Sequence, residues 1–127
     1  MSDQHEIVLN VCYGGFGLSQ EAQDAYRHRT GTDFDECEGP RDDPALVAVV
    51  KELGTRADGL FAQLKIVHIP AQYARFYSIR EYDGHESVRI LYDAYKIYSA
   101  KRMLRDACLT QRDKITRALA VLDAELE

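Results

Sequence analysis

The chain has 127 residues, of which 46% are apolar and 29% charged, with a formal net charge of −5. That length suits a single domain burying about two thirds of its unfolded surface, and the composition excludes disordered, fibrous and disulfide-scaffold classes. No apolar run approaches the ~20 residues needed to cross a bilayer, and Met1 to Asn10 lacks the basic and apolar segments of a secretory leader, so a cytoplasmic protein without a membrane partner is expected.

Met1 to Glu6 reads as a polar, frayed lead-in. Ile7 to Cys12 is apolar and rich in β-branched residues, interrupted by Asn10, and predicts a largely buried strand. Gly14, Gly15 and Gly17 then free the backbone for positive φ or close approach, and Ser19 is suited to cap a helix over Ser19 to Arg29 that Gly31 stops. Thr32 to Pro40 is acidic and turn-rich, an expected exposed loop. Its carboxylates lack the spacing of a calcium loop, so no metal is expected there.

Asp43 as N-cap and Pro44 as first helical residue introduce a second helix over Ala45 to Leu53, ended by Gly54. Leu60 to Ile69 alternates as a strand closed by Pro70, and Tyr73 to Tyr82 supplies a third, ended by the turn residues Asp83 and Gly84. Ile69 and Tyr73 are close enough in sequence for these two strands to pair as an antiparallel hairpin. From Ser87 to Glu127 there is no Gly or Pro, and one long helix, or two broken near Thr110, is expected. Its apolar seam runs through Leu91, Tyr95, Tyr98, Leu104, Cys108, Ile115, Leu119, Leu122 and Leu126. The expected fold is α+β, with a three-stranded, largely antiparallel sheet covered by two short helices. Residues 1–86 would form the body, and residues 87–127 a tail that is one long helix or a helical hairpin.

Charge is divided unevenly between these parts. Residues 1–86 hold eight Lys and Arg against fifteen Asp and Glu, a balance of −7, while residues 87–127 hold eight against six, a balance of +2. An acidic body repels a phosphate backbone, and the tail's basic residues are interleaved with acids, so nucleic acid is not an expected partner. Cys12, Cys37 and Cys108 are odd in number and far apart, without the spacing of a zinc site.

The chemistry that remains gathers at the first glycine turn. A strand, glycine turn and helix start can cradle an anion on backbone amides, and the residues expected to bind a ligand there are Tyr13, Gly14, Gly15, Phe16 and Gly17. Arg41 or Arg80 would neutralise its charge, with Tyr82 and Asp83 nearby at the end of the third strand. The alternative is a small hydrolase or transferase using Cys12 with His68 or His85 as base, or the cluster from Asp83 to Glu86. No standard catalytic spacing connects these groups, and no cofactor is implied. A third reading is a protein–protein interaction module acting through the tail.

Four motifs taken together bring a resemblance. Asn10 to Ser19, then Arg41-Asp42-Asp43-Pro44 with Leu53-Gly54, then Leu64 to Pro70, and finally Glu81-Tyr82-Asp83-Gly84-His85-Glu86-Ser87 resemble a family of small uncharacterised proteins of bacteriophages and large DNA viruses. The resemblance covers roughly residues 6–90 and carries no activity with it. It implies a protein working in the cytoplasm of an infected host cell. Joined to the reading of the glycine turn, it gives the expected function: non-catalytic binding of a small anionic, nucleotide-like molecule, sequestering a host immune signal. The seam over residues 91–126 is longer than so small a body can cover, which predicts a homo-oligomer assembled through it.

Overall fold

An apolar run without alternation needs cover on both faces, and Ile7, Val8 and Leu9 receive it. In the computed structural model, which describes residues 3–126, they belong to β1 (Gln4–Asn10). After β1 come α1 (Gln20–Thr30), α2 (Pro44–Leu53), β2 (Leu64–Pro70), β3 (Tyr77–Tyr82), β4 (His85–Ile90) and α3 (Tyr92–Leu126). Val8 shares a core with Ala22 and Tyr26 of α1 and with Leu46, Val49 and Val50 of α2. Ile7 and Leu9 share a second core with Ile69 and, less deeply, with Tyr77, Ile79, Val88 and Ile90 of β3 and β4. The β1–β2 ladder is thus covered by helices on one face and by the β3–β4 hairpin on the other, an α+β arrangement.

The four strands form two two-stranded antiparallel sheets, β1 with β2 and β3 with β4, and not the expected three-stranded sheet. β1 meets β2 in the register Ile7 opposite Val67, and β3 meets β4 with Ile79 opposite Val88. The expected hairpin of β2 with β3 does not form, because each strand finds its ladder elsewhere. After Pro70 the chain makes a 3-10 turn, Ala71–Tyr73, whose first amide donates to the Asp3 carbonyl and continues the β1–β2 pairing. Asp83 and Gly84, at φ 50° and 88°, form a two-residue turn whose twist matches a hairpin and fold the chain straight back onto β3. Residues 85–90, in part expected to open the tail helix, are therefore a strand. Val88 and Ile90 turn inward while Ser87 and Arg89 turn outward.

Strand boundaries shift for the same kind of reason. Leu60 and Phe61, expected in β2, are 90% and 71% exposed in the preceding loop. Tyr73 to Phe76 precede β3 as turn residues. Gln4 to Glu6 are paired in β1 and not frayed, while Met1 and Ser2 of the expected lead-in lie outside the described residues.

The helix ends fall where local chemistry puts them. Ser19 Oγ accepts from the Ala22 amide at 3.0 Å, and Gly31 closes α1 at φ 85°. Asp43 Oδ1 accepts from the Ala45 amide at 2.9 Å, Pro44 opens α2, and the Gly54 amide returns to the Val50 carbonyl.

α3 is a unit of its own, beginning at Tyr92 where the other unit ends at Leu91. Its 35 residues make one unbroken helix about 52 Å long. Thr110 does not cap a second helix: its hydroxyl donates to the Asp106 carbonyl at 3.0 Å within the same one.

Candidate functional site

β1 has a second edge, away from β2, and the residues that close it build the site. Along that edge the Val8 amide donates to the Arg41 carbonyl, and the Asn10 amide donates to Glu86 Oε1, both at 2.8 Å. Glu86 comes from β4 and is 7% exposed; Arg41, from the loop before α2, is 14% exposed. The guanidinium grips the carboxylate through both nitrogens, Nη1 to Oε1 at 2.6 Å and Nη2 to Oε2 at 2.9 Å. With the Asn10 amide, the buried carboxylate has three donors, which is what a desolvated charge requires. The Asn10 side chain completes the junction, donating to the carbonyls of Cys12 and Gly84 and accepting from the Gln63 amide. Arg41 also lies 3.5 Å above the centre of the Phe16 ring, so its flat cation is held on both its edge and its face.

The glycine turn is packed into this junction. A Cβ on Gly14 would lie 1.7 Å from the Phe61 carbonyl oxygen, and one on Gly84 would lie 2.6 Å from the Gly15 nitrogen. These glycines let three loops approach backbone to backbone. Gly15 differs: at φ 103° nothing stands within 4 Å of where its side chain would be. The Gly17 carbonyl accepts from the Gly59 amide at 2.9 Å.

The acceptor expected from a bound anion at the entrance to α1 is supplied by the chain itself. Glu36 Oε1 accepts from the Leu18 amide at 3.0 Å and from Gln23 Nε2 at 3.2 Å, while Ser19 takes the Ala22 amide. The acidic loop of residues 32–40 is therefore not all solvated: Phe34 is buried, and Glu36 is anchored.

Between the glycine turn, the 37–41 loop and the hairpin lies a cleft of about 440 Å³. Gly15, Phe16, Arg41, Glu81, Gly84 and Glu86 line it, with Ile79 at its apolar side and Glu38 at its rim. Glu81 and Glu86 are directly opposed across the hairpin and share its inner face. Three carboxylates against one committed guanidinium give the cleft a negative field, so it favours groups that donate hydrogen bonds over phosphates.

Of the residues expected to bind a ligand, Gly15, Phe16 and Arg41 line this cleft together. Tyr13 is exposed beside it, its ring 5.4 Å from that of His85. Gly14 and Gly17 are engaged by backbone packing. Arg80 stands opposite Ser87 on the outer face of the hairpin, with exposed Tyr82 two residues on, so strand alternation separates both from Arg41. Asp83 holds the turn.

The candidate catalytic groups are dispersed. Cys12 Sγ contacts Asn10 Oδ1 and the Phe61 carbonyl, each at 3.2 Å. His68 pairs with Glu6 at 3.2 Å, and His85 stacks with Tyr13. Among the described residues, no group of three His, Cys, Asp or Glu side chains is placed to hold a metal ion.

One cluster has no sequence signature. His5 Nε2 lies 2.9 Å from Asp42 Oδ2, and the His5 and Tyr77 rings are 6.0 Å apart. Burial, then the charge and hydrogen bond of Asp42, push the Tyr77 phenol up to about 12. Beside it, Lys51 bonds Glu6 and holds that carboxyl below its ordinary range. The residues come from β1, the turn before α2, α2 and β3, and only the fold brings them together.

No described helix is long and apolar enough to cross a membrane. Comparison with protein-family models, curated proteins and solved structures finds no match to this chain.

Proposed function

We propose that the body is a non-catalytic binding protein for a small nucleotide-like molecule, recognised through its base and sugar, and that it sequesters this molecule in the cytoplasm of a virus-infected cell. The supporting observation is the cleft beside the glycine turn, whose walls are fixed by the buried Arg41–Glu86–Asn10 junction before any ligand arrives. Preformed walls lower the ordering cost of binding. Carboxylates at Glu38 and Glu81 accept from exocyclic amines and ribose hydroxyls, and Phe16 with Ile79 gives the apolar surface that a base needs. Phosphates belong at the open mouth of the cleft, because Arg41 is already neutralised. A family of phage and large-virus proteins, which the motifs resemble, supplies the cellular setting.

Catalysis is the weaker reading, since neither His68 nor His85 is hydrogen-bonded to Cys12. Association through α3 is the second part of the proposal. Leu104, Ile115, Leu119 and Leu122 are each more than half exposed, and a homo-oligomer joined there would cover them. The Leu126 side chain, also expected in this seam, lies outside the described residues.

Mass spectrometry of small molecules released by heat from protein incubated in infected-cell extract tests the binding reading. An intact nucleoside-containing molecule is expected, reduced severalfold in Glu38→Gln/Glu81→Gln protein. A chemically altered product, or no molecule retained, overturns it.

A further inference from the structure

Carboxylates outnumber cations in the body, and four of its arginines are drawn into ion pairs: Arg27 with Asp33, Arg29 with Glu52, Arg41 with Glu86 and Arg56 with Glu21. Arg80 of β3 and Arg89 of β4 are different. Both are exposed, and among the described residues neither is engaged in an ion pair or a side-chain hydrogen bond. Because Tyr77, Ile79, Val88 and Ile90 turn inward to the second core, the alternate residues Ser78, Arg80, Tyr82, His85, Ser87 and Arg89 occupy the outer face of the hairpin. Arg80 stands opposite Ser87, and Ser78 opposite Arg89, so the two arginines are diagonal neighbours about 7–8 Å apart. Like charges so placed repel, and no carboxylate shares their face: Glu81 and Glu86 are on the inner one, and Asp83 is in the turn. At the turn end of the hairpin the described body gathers its four exposed large apolar side chains, Tyr13, Leu60, Phe61 and Tyr82. Tyr82 is opposite His85, whose ring lies 5.4 Å from that of Tyr13, and a Cβ on the next residue, Gly14, would meet Phe61 Cβ at 2.9 Å.

We propose that this outer face, from Arg89 and Arg80 to Tyr82 and Tyr13, binds single-stranded nucleic acid, a function separate from the cleft on the inner face of the same hairpin. A single strand carries one phosphate per nucleotide with a flat, unpaired base beside it, and the face complements both. Each guanidinium takes one phosphate through two N–H donors, with the hydroxyls of Ser78 and Ser87 alongside, while the phenol rings receive the bases. A duplex keeps its base faces stacked against one another, so the rings have nothing to receive. An acidic peptide supplies anions but no bases. The acid excess of the body argues against adhesion to a phosphate backbone at large. At physiological ionic strength, however, exposed charges are screened beyond about 8 Å, and on this face the two arginines are the near ones. With only two phosphates neutralised, the affinity is modest.

Fluorescence anisotropy of labelled oligo(dT) and oligo(U), each of about eight nucleotides, titrated with the full chain tests this. A dissociation constant of about 10–100 µM at low salt is expected. For single strands the logarithm of affinity falls against the logarithm of salt with a slope of about −0.7 per neutralised phosphate. Whatever the rest of the chain contributes, Arg80→Gln and Arg89→Gln should therefore each make the slope shallower by about 0.7, and the double variant by about 1.4. Tyr82→Ala should weaken binding about tenfold at an unchanged slope, and Tyr82→Phe, which keeps the ring, should restore it. Tighter binding of oligo(U) identifies the strand as RNA, and equal or tighter binding of oligo(dT) shows that the 2′-hydroxyl is not read; either supports the proposal. All the substituted positions are exposed, and circular dichroism of each variant checks the fold. The proposal is overturned by no binding at about 0.5 mM protein, by a slope unchanged in the double arginine variant, or by a duplex of equal length bound as tightly. Full displacement of the oligonucleotide by poly-glutamate of matched charge overturns it as well, and none of these results touches the cleft.

Discussion

Leu9, Leu18 and Leu46 in the body are 8% exposed or less, whereas Leu104, Leu119 and Leu122 in α3 are each more than half exposed. Residue type is the same, and the two regions differ in where the covering surface comes from. In the body, β1 is covered by α1 and α2 on one side and by β3 and β4 on the other, all within one chain. Among the described residues, the apolar side chains Leu104, Leu119 and Leu122 of α3 are left exposed. Burial of the body's leucines is therefore an intramolecular property, whereas under the association proposed above burial of those in α3 would depend on protein concentration. Charge follows the same division: Glu86 is buried and paired with the half-buried Arg41, and the ions of α3 are exposed.

The sharpest test of that contrast is Arg41→Ala, which leaves the Glu86 carboxylate buried with the Asn10 amide alone. A loss of about 3–5 kcal/mol is expected in denaturant unfolding, against a much smaller loss in the apolar double variant Arg41→Met/Glu86→Leu. Equal losses would mean that the junction acts through shape and not charge. Gly14→Ala should follow at about 1–3 kcal/mol, since its Cβ meets the Phe61 carbonyl and the loops must part. Gly15→Ala has open space and should cost only the strain of its positive φ, about 1–2 kcal/mol, so an order reversed between the two would misplace the packed side of the turn.

Leu104→Gln/Leu119→Gln should leave the unfolding of the body within about 0.5 kcal/mol while abolishing association, as read by sedimentation. A body destabilised by several kcal/mol would erase the distinction drawn here. The smallest effect concerns Tyr77, whose raised pKa means that the folded state favours the neutral phenol. Its contribution is fully present below about pH 10, the ordinary phenol value, and is lost as pH climbs toward 12. Asp42→Asn should bring the phenolate absorbance of this residue to lower pH; an unchanged titration would remove Asp42 as a cause.

Elements fixed by neighbouring residues were legible from the chain alone. Ser19, Gly31, Asp43-Pro44 and Gly54 mark helix ends by chemistry contained within a few positions, and the structure keeps each. Strand pairing is a choice among distant partners, and there local reading failed. The Asp83-Gly84 pair between Tyr77–Tyr82 and His85–Ile90 is a strong hairpin signal, but the helix formers after Tyr92 drew the preceding residues into the wrong element. At the site, Gly15, Phe16 and Arg41 were within reach of sequence because they adjoin a glycine turn and a helix start. That Arg41 is committed to Glu86, 45 residues away, was not, and this pairing gives the Arg41 guanidinium to a carboxylate of the chain itself.

Glu36 gives the entrance of α1 a tethered competitor. Only 18 residues separate it from the Leu18 amide that it accepts from, so the carboxylate is present there at an effective concentration on the order of millimolar. A free phosphate or carboxylate would have to outcompete that tethered group, so the Leu18 amide is satisfied within the body without any bound anion.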